Sequence, residues 1–159
     1  MEYDKESTID RLEAWRLDIQ EDMQKADWEK ACFKAQKQSI SSRMKLLQYK
    51  WLMRTYITPV KLSQWSPDVP DTCIKCLEGK GTLYHCVWYC PKIKNYWKEI
   101  VLTLTEIVGV KVLHQAKRCI LGIYPENLMV NPKESILIDF GLLQARRRIA
   151  LFCCIDVRS

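Results

Sequence analysis

Four side chains able to donate a lone pair to a metal ion stand close together near the middle of this chain. Cys73-Ile74-Lys75-Cys76 is a Cys-x2-Cys turn; eight residues intervene before His85, and four more before Cys90. Two thiolates on one tight turn can share a tetrahedral ion, while His85 and Cys90 close the remaining corners from a second segment. A filled set of three cysteines and one histidine leaves no open position for water, so the chemistry implied is structural and the expected cofactor is zinc. Gly79 and Gly81 supply a flexible return between the two halves. The competing reading is of buried thiols and a satisfied histidine, and the ordered spacing of four ligand types weighs against it.

The spacing leaves one ligand open. At about 100° per residue on an α-helix, His85 and Cys90 sit about 140° apart, whereas Cys86 and Cys90 lie about 40° apart on one face. An all-cysteine site using Cys86 therefore competes with one using His85. His85 is the better ligand if it lies just before a helix that begins near Cys86.

Three thiolates and one divalent ion leave an excess negative charge, which Lys75, Lys80, Lys92 and Lys94 are near enough in sequence to offset. The same lysines could hold phosphates, and Tyr84, Trp88 and Tyr89 lie among them, a mixture that suits stacking on unpaired bases. Trp88 and Trp97 read more simply as the miniature core of the metal loop, which leaves Tyr84 and Tyr89 as the open aromatic positions. A second basic run is Arg146-Arg147-Arg148. With Ile138, Leu142, Ala145, Ile149 and Phe152 turned inward, Arg147 points away from the apolar stripe while Arg146 and Arg148 flank it. Phosphate contact and a solvated helix face with dipole compensation are both open readings of that run.

The charge distribution agrees with a polyanionic partner. Net charge is +6, but residues 1–29 hold ten acidic and four basic side chains, so residues 30–159 carry nine acidic against twenty-one basic. A nucleic acid, single-stranded RNA in the first instance, is the expected partner. No Ser/His/Asp set, phosphate-cradling glycine loop or Asp-Asp pair is present, and no His-x-Glu precedes the cysteines as zinc deaminases require. No catalytic residues are expected. A polar, acidic start and the lack of a long apolar run point to an intracellular protein, cytoplasmic or nuclear, with no membrane association.

Positioning these side chains falls to a mainly α-helical chain with a small zinc-knuckle-like loop inserted in its middle. Ser7 and Asp10 have capping-box-like spacing, and Ile9, Leu12, Trp15, Ile19 and Met23 recur at helical intervals, predicting a first helix over about 8–24. A second begins near Asp27 with Trp28, Cys32 and Ala35 on one side; Ser41 and Ser42 can cap a third bearing Met44, Leu47 and Trp51. Thr58-Pro59 reads as N-cap and first helical residue, and 66–71 as loop. Ile93, Trp97, Ile100, Leu104 and Ile107 form a stripe that stops at Gly109, and Asn131-Pro132 opens a last helix reaching about Phe152. Residues 119–123 fit either a short strand or a buried helical turn. The segments are an N-terminal helical part at 1–65, a metal loop with the start of the next helix at 66–98, and a C-terminal helical part at 99–159, together one domain.

The string Asp71-Thr72-Cys73-Ile74-Lys75-Cys76, Gly81-Thr82-Leu83-Tyr84-His85, Trp88-Tyr89-Cys90-Pro91 and Trp97 resembles the zinc-binding C-terminal region of LINE-type non-LTR retrotransposon reverse transcriptases. The similarity extends through Asp27-Trp28-Glu29-Lys30, Leu47-Gln48-Tyr49-Lys50, Tyr56-Ile57-Thr58-Pro59 and Ala145-Arg146-Arg147-Arg148-Ile149-Ala150, covering most of 12–152. The resemblance implies Cys73, Cys76, His85 and Cys90 as ligands, Trp97 as a packing residue, and a role in engaging template RNA beside a polymerase domain. Endonuclease and polymerase motifs are missing, so this chain is expected to be non-catalytic. Where that family continues past the arginine helix with a tryptophan, this chain reads Cys153-Cys154-Ile155-Asp156 and soon stops, as an interrupted reading frame would.

Overall fold

The computed structural model describes residues 5–124 and 131–153. Among them are seven α-helices, α1 (Lys5–Ile19), α2 (Lys25–Lys37), α3 (Ser42–Leu52), α4 (Pro59–Trp65), α5 (Pro91–Val108), α6 (Ala116–Leu121) and α7 (Pro132–Cys153). A π-helical turn at His85–Tyr89 precedes α5, and no strand forms among the described residues. The fold is mainly helical, as expected. No helix among them is long and apolar enough to cross a membrane.

Local chemistry marks some helix ends, whereas Ser41, at the N-cap of α3 as expected, makes no side-chain cap hydrogen bond. Thr58 accepts a hydrogen bond from the Lys61 N–H at 3.4 Å, with Pro59 in the first turn. Asn131 accepts from the Glu134 N–H at 2.9 Å, while Glu134 accepts from the Asn131 N–H at 3.1 Å, a reciprocal cap that starts α7. Gly109 sits at φ 72° and ends α5. The first helix departs from expectation at both ends. It begins by Lys5, so Ser7 lies inside it rather than at its cap, and it stops at Ile19 because Gln20 turns left-handed at φ 57°. Met23 is still buried, because Arg16 reaches its carbonyl through Nε at 3.0 Å and Nη2 at 2.6 Å. Residues 119–121 belong to α6, which resolves the strand-or-helix ambiguity in favour of helix.

Tryptophans tie the helices together. Trp15, Trp28, Trp51 and Trp97 are almost fully buried, and three of them donate across the core to a backbone carbonyl. The Trp15 indole N–H reaches Leu52 at 3.0 Å, Trp51 reaches Ile120 at 3.0 Å, and Trp97 reaches Val87 at 2.8 Å. Each bond satisfies a buried donor and joins an apolar anchor to a second element. One cluster of buried residues contains Trp15, Cys73, Trp97 and Ile149, so the metal loop shares its core with the flanking helices. Three positions on expected apolar stripes are exposed instead: Ile9 on α1, Ile107 on α5 and Phe152 on α7.

Candidate metal centre

The loop before the π turn is a tight hairpin. Thr72 and Lys80 form an isolated antiparallel bridge, and the Gly81 N–H bonds to Asp71 O at 2.7 Å. Inside it, the Cys73 N–H meets Gly79 O at 2.8 Å and the Leu77 N–H meets Cys73 O at 2.9 Å, with Leu77 left-handed at φ 60°. This geometry carries Cys73 and Cys76 to the same side of the turn. Gly79 matters for contact rather than flexibility. A Cβ there would lie 2.6 Å from His85 Cε1, so the imidazole occupies the space a side chain would need. A Cβ on Gly81 would meet Pro59 at the same separation, docking the hairpin against α4.

The second pair of ligands is set by the π turn. Its Cys90 N–H bonds to His85 O at 2.8 Å, closing the turn over five residues instead of four. Residues five apart therefore come nearer to one face, and the wide angular separation that an α-helix would impose on His85 and Cys90 narrows. Cys86 turns the other way, 2% exposed in the core, and is not part of the ligand cluster.

The four ligand atoms of Cys73, Cys76, His85 and Cys90 lie within 4.8 Å of one another. Cys73 and Cys90 Sγ are 4.0 Å apart, and Cys76 Sγ is 3.3 Å from His85 Nε2. Metal–sulfur bonds of 2.3 Å in a tetrahedron put sulfurs about 3.8 Å apart, so this arrangement fits a single metal ion and is too open for a disulfide. Cys73 and Cys90 are buried, whereas Cys76 and His85 are half-buried at the loop surface.

Thiolate formation is favoured unequally. Backbone N–H groups of Glu78 and Gly79 directed at Cys76, with His85 alongside, bring its pKa down to about 6. Burial pushes the Cys90 thiol up; N–H groups of Ile93 and Lys92 at the start of α5 oppose that shift without overcoming it. Cys32 and Cys119 lie away from the cluster as buried thiols, pushed up by burial to about 12 and about 11. His114 is not a ligand: it stacks on Trp88 with ring centroids 4.7 Å apart, and burial lowers its pKa.

An open groove of about 900 Å³ runs past the ligands, with Lys80, Tyr84, Tyr89 and Lys94 on its walls. Tyr89 is 61% exposed, its ring lies 6.3 Å from that of Tyr84, and Lys94 Nζ stands 5.1 Å from its centroid. Asp18 and Glu78 also line the groove, and Asp18 is paired with Arg54 at 2.5 Å. Of the other basic candidates, Lys75 is half-buried and Lys92 exposed, and neither lines this groove. Arg147 and Arg148 are exposed on α7.

Arg146 is a correction. It is 5% exposed and donates Nε to Cys119 O at 2.8 Å, so it braces α7 against α6 and is not part of the exposed basic face. Leu143 and Ala150 are buried with it, which shows that the inward face of α7 is turned towards Arg146 and away from Phe152. The sequence reading also missed the surroundings of this arginine, where Lys34, Arg118, Tyr124 and Asp139 meet. No short motif links these residues, and only tertiary packing brings them together.

No family model matches the chain.

Proposed function

We propose that the chain is a non-catalytic, zinc-stapled module that binds single-stranded nucleic acid, template RNA in the first instance, as part of a non-LTR retrotransposon reverse transcriptase. The observation that carries this reading is the juxtaposition of a closed Cys3His cluster with a groove bearing Tyr84, Tyr89, Lys80 and Lys94. Zinc is favoured because three thiolates and an imidazole form a soft, tetrahedral set without an open coordination position. The metal then supplies rigidity rather than reactivity. An exposed tyrosine beside a lysine offers a stacking platform and a phosphate contact, which together bind a strand with little sequence preference. Arg147 and Arg148 extend the basic surface on α7.

Fluorescence anisotropy of a labelled RNA oligonucleotide across a salt series tests the reading. About three to five phosphate contacts would give a log–log slope near 0.7 per contact. Arg147→Ala lowers both affinity and slope by roughly one contact, whereas Tyr84→Ala and Tyr89→Ala lower affinity with little change in slope. No binding at low salt by metal-loaded monomer eliminates the nucleic-acid reading. Primer-extension assays on the same material should give no product, because no acidic set for catalytic magnesium is encoded.

A second reading, an interaction domain that braces a polymerase, draws on exposed apolar side chains. Ile136, Leu137 and Phe140 on α7 and Leu102 on α5 are all substantially solvent-exposed. Under that reading the isolated chain self-associates and fails to bind RNA.

A further inference from the structure

Away from the metal loop, cationic side chains from three helices converge in the interior. Arg118 of α6 is 0% exposed, and its Nε, Nη1 and Nη2 have no hydrogen-bond partner among the described residues. Arg146 of α7 lies in the same region with its Nε committed to Cys119 O. Lys34 of α2 is 2.7 Å from Asp139 Oδ1, the oxygen that also accepts from the Tyr124 hydroxyl. Lys34 Nζ and Arg118 Cζ lie 4.3 and 4.6 Å from the centroid of the Tyr124 ring. One carboxylate thus serves three cations.

That imbalance needs an explanation. A guanidinium keeps its proton under all ordinary conditions, and burying it without an acceptor is strongly unfavourable. Cation–π contact with Tyr124 offsets part of the charge but satisfies none of the three donor nitrogens. Buried donors of this kind call for an acceptor such as an ordered water or an anion.

Open space lies beside the cluster, although Arg118 itself lines neither the cavity nor the groove. A small, partly open cavity of about 10 Å³, lined in part by Lys34, Gly122, Asp139 and Arg146, has room for about one water. It shares Lys34 and Gly122 with an open groove of about 320 Å³ whose walls also include Asp27, Lys30 and Tyr124. Lysines therefore stand where an anion would arrive, with Arg146 on the cavity wall and Arg118 against the Tyr124 ring that lines the groove.

We propose that this cluster binds a phosphate group, which arrives along the groove beside Lys30, displaces the Tyr124 ring and takes Arg118, Arg146 and Lys34 as its counter-charges. Phosphate suits the donors better than a smaller anion. It carries enough charge to answer the excess of cations, and its oxygens match the paired N–H groups of a guanidinium. The group could be free inorganic phosphate or the terminal phosphate of a nucleic-acid strand, since both present the same oxygens. The site is separate from the metal loop, so its failure would leave the preceding functional reading intact.

Thermal unfolding of the full, metal-loaded chain in inorganic phosphate, against sodium chloride of equal ionic strength, tests the proposal. At ten times its dissociation constant, phosphate should raise the midpoint by roughly 3–6 °C. Arg118→Met should abolish that rise and, without phosphate, unfold no lower than the natural chain, because exchanging an unpaired buried charge for an apolar side chain is neutral or stabilising. Lys34→Met, at a half-buried position, should weaken phosphate binding about tenfold and gives a readout should Arg118→Met not fold. A 5′-phosphorylated oligonucleotide that displaces phosphate about tenfold better than its 5′-hydroxyl counterpart identifies a strand end as the source. Equal displacement by the two, with the phosphate response intact, identifies free phosphate. A midpoint indifferent to phosphate, or one that rises equally in Arg118→Met, overturns the proposal.

Discussion

The metal loop and the tryptophan core solve the same problem by different means. In the loop, Cys73, Cys76, His85 and Cys90 converge from two short segments onto a single point beside a hairpin with a left-handed Leu77. In the core, Trp15 and Trp51 spread the work over large buried rings, each fixed by one hydrogen bond to a distant carbonyl. The loop depends on all four ligands at once, so it should fail abruptly. The core has distributed contacts and should weaken by degrees.

The comparison is sharpest when one ligand is removed. Cys76→Ser should release the metal and loosen residues 66–98 while the helices built on Trp15 and Trp51 stay formed; structural zinc sites are worth on the order of 10 kcal/mol in binding free energy. Hydrogen exchange resolved by segment, alongside metal analysis, checks this. Uniform loss of protection along the chain would mean that loop and core are one cooperative unit.

The converse substitution should act through global stability. Trp51→Ala removes a buried ring and its bond to Ile120 O, at an expected cost of about 3–5 kcal/mol. Denaturant unfolding measures the loss. While the chain remains folded, its metal content should be unchanged, and metal loss in parallel with stability would erase the distinction between the two regions.

A smaller effect probes the geometry of the loop. Gly79→Ala places a methyl 2.6 Å from His85 Cε1, so the ring must shift away from its ligand position. Metal affinity in a competition assay should fall roughly 10–100-fold, as it does when supporting groups around metal ligands are disturbed. Unchanged affinity would show that His85 does not need that space.

Proton competition gives the finest discrimination. Cys76, with its pKa lowered to about 6, is mostly thiolate at neutral pH and loses little to protons there. Cys90, pushed up by burial, must release its proton when metal binds. Affinity should therefore fall as pH falls, and more steeply below about 6 as Cys76 joins. Titration with a metal indicator between pH 5 and 8 reads the slope, and a constant slope across pH 6 would contradict the assignment for Cys76.

Much of the centre was legible because its ligands are close in sequence and chemically unlike their neighbours. What stayed hidden depended on backbone shape. The α-helical wheel set His85 and Cys90 apart, and only a π turn reconciles them; no residue type announces such a turn. Gly79 read as a flexible return, yet its role is to leave room for a ring six residues away. The tryptophans were recognisable as core because large rings on helical stripes have few other homes. Arg146 was misplaced for the opposite reason: a charged residue in a basic run reads as exposed, and its burial depends on the Cys119 carbonyl, which helical periodicity within α7 does not reveal. The end of α1 was missed because Met23 continues the apolar rhythm after the backbone has left the helix at Gln20.

Elemental analysis of reduced, folded protein purified without chelators tests the central claim most directly, performed on the natural chain beside His85→Ala and Cys86→Ser. One zinc per natural chain, retained in Cys86→Ser and lost in His85→Ala, is the predicted result. A metal-free chain that still unfolds cooperatively, or zinc that leaves with Cys86 and stays without His85, would contradict it.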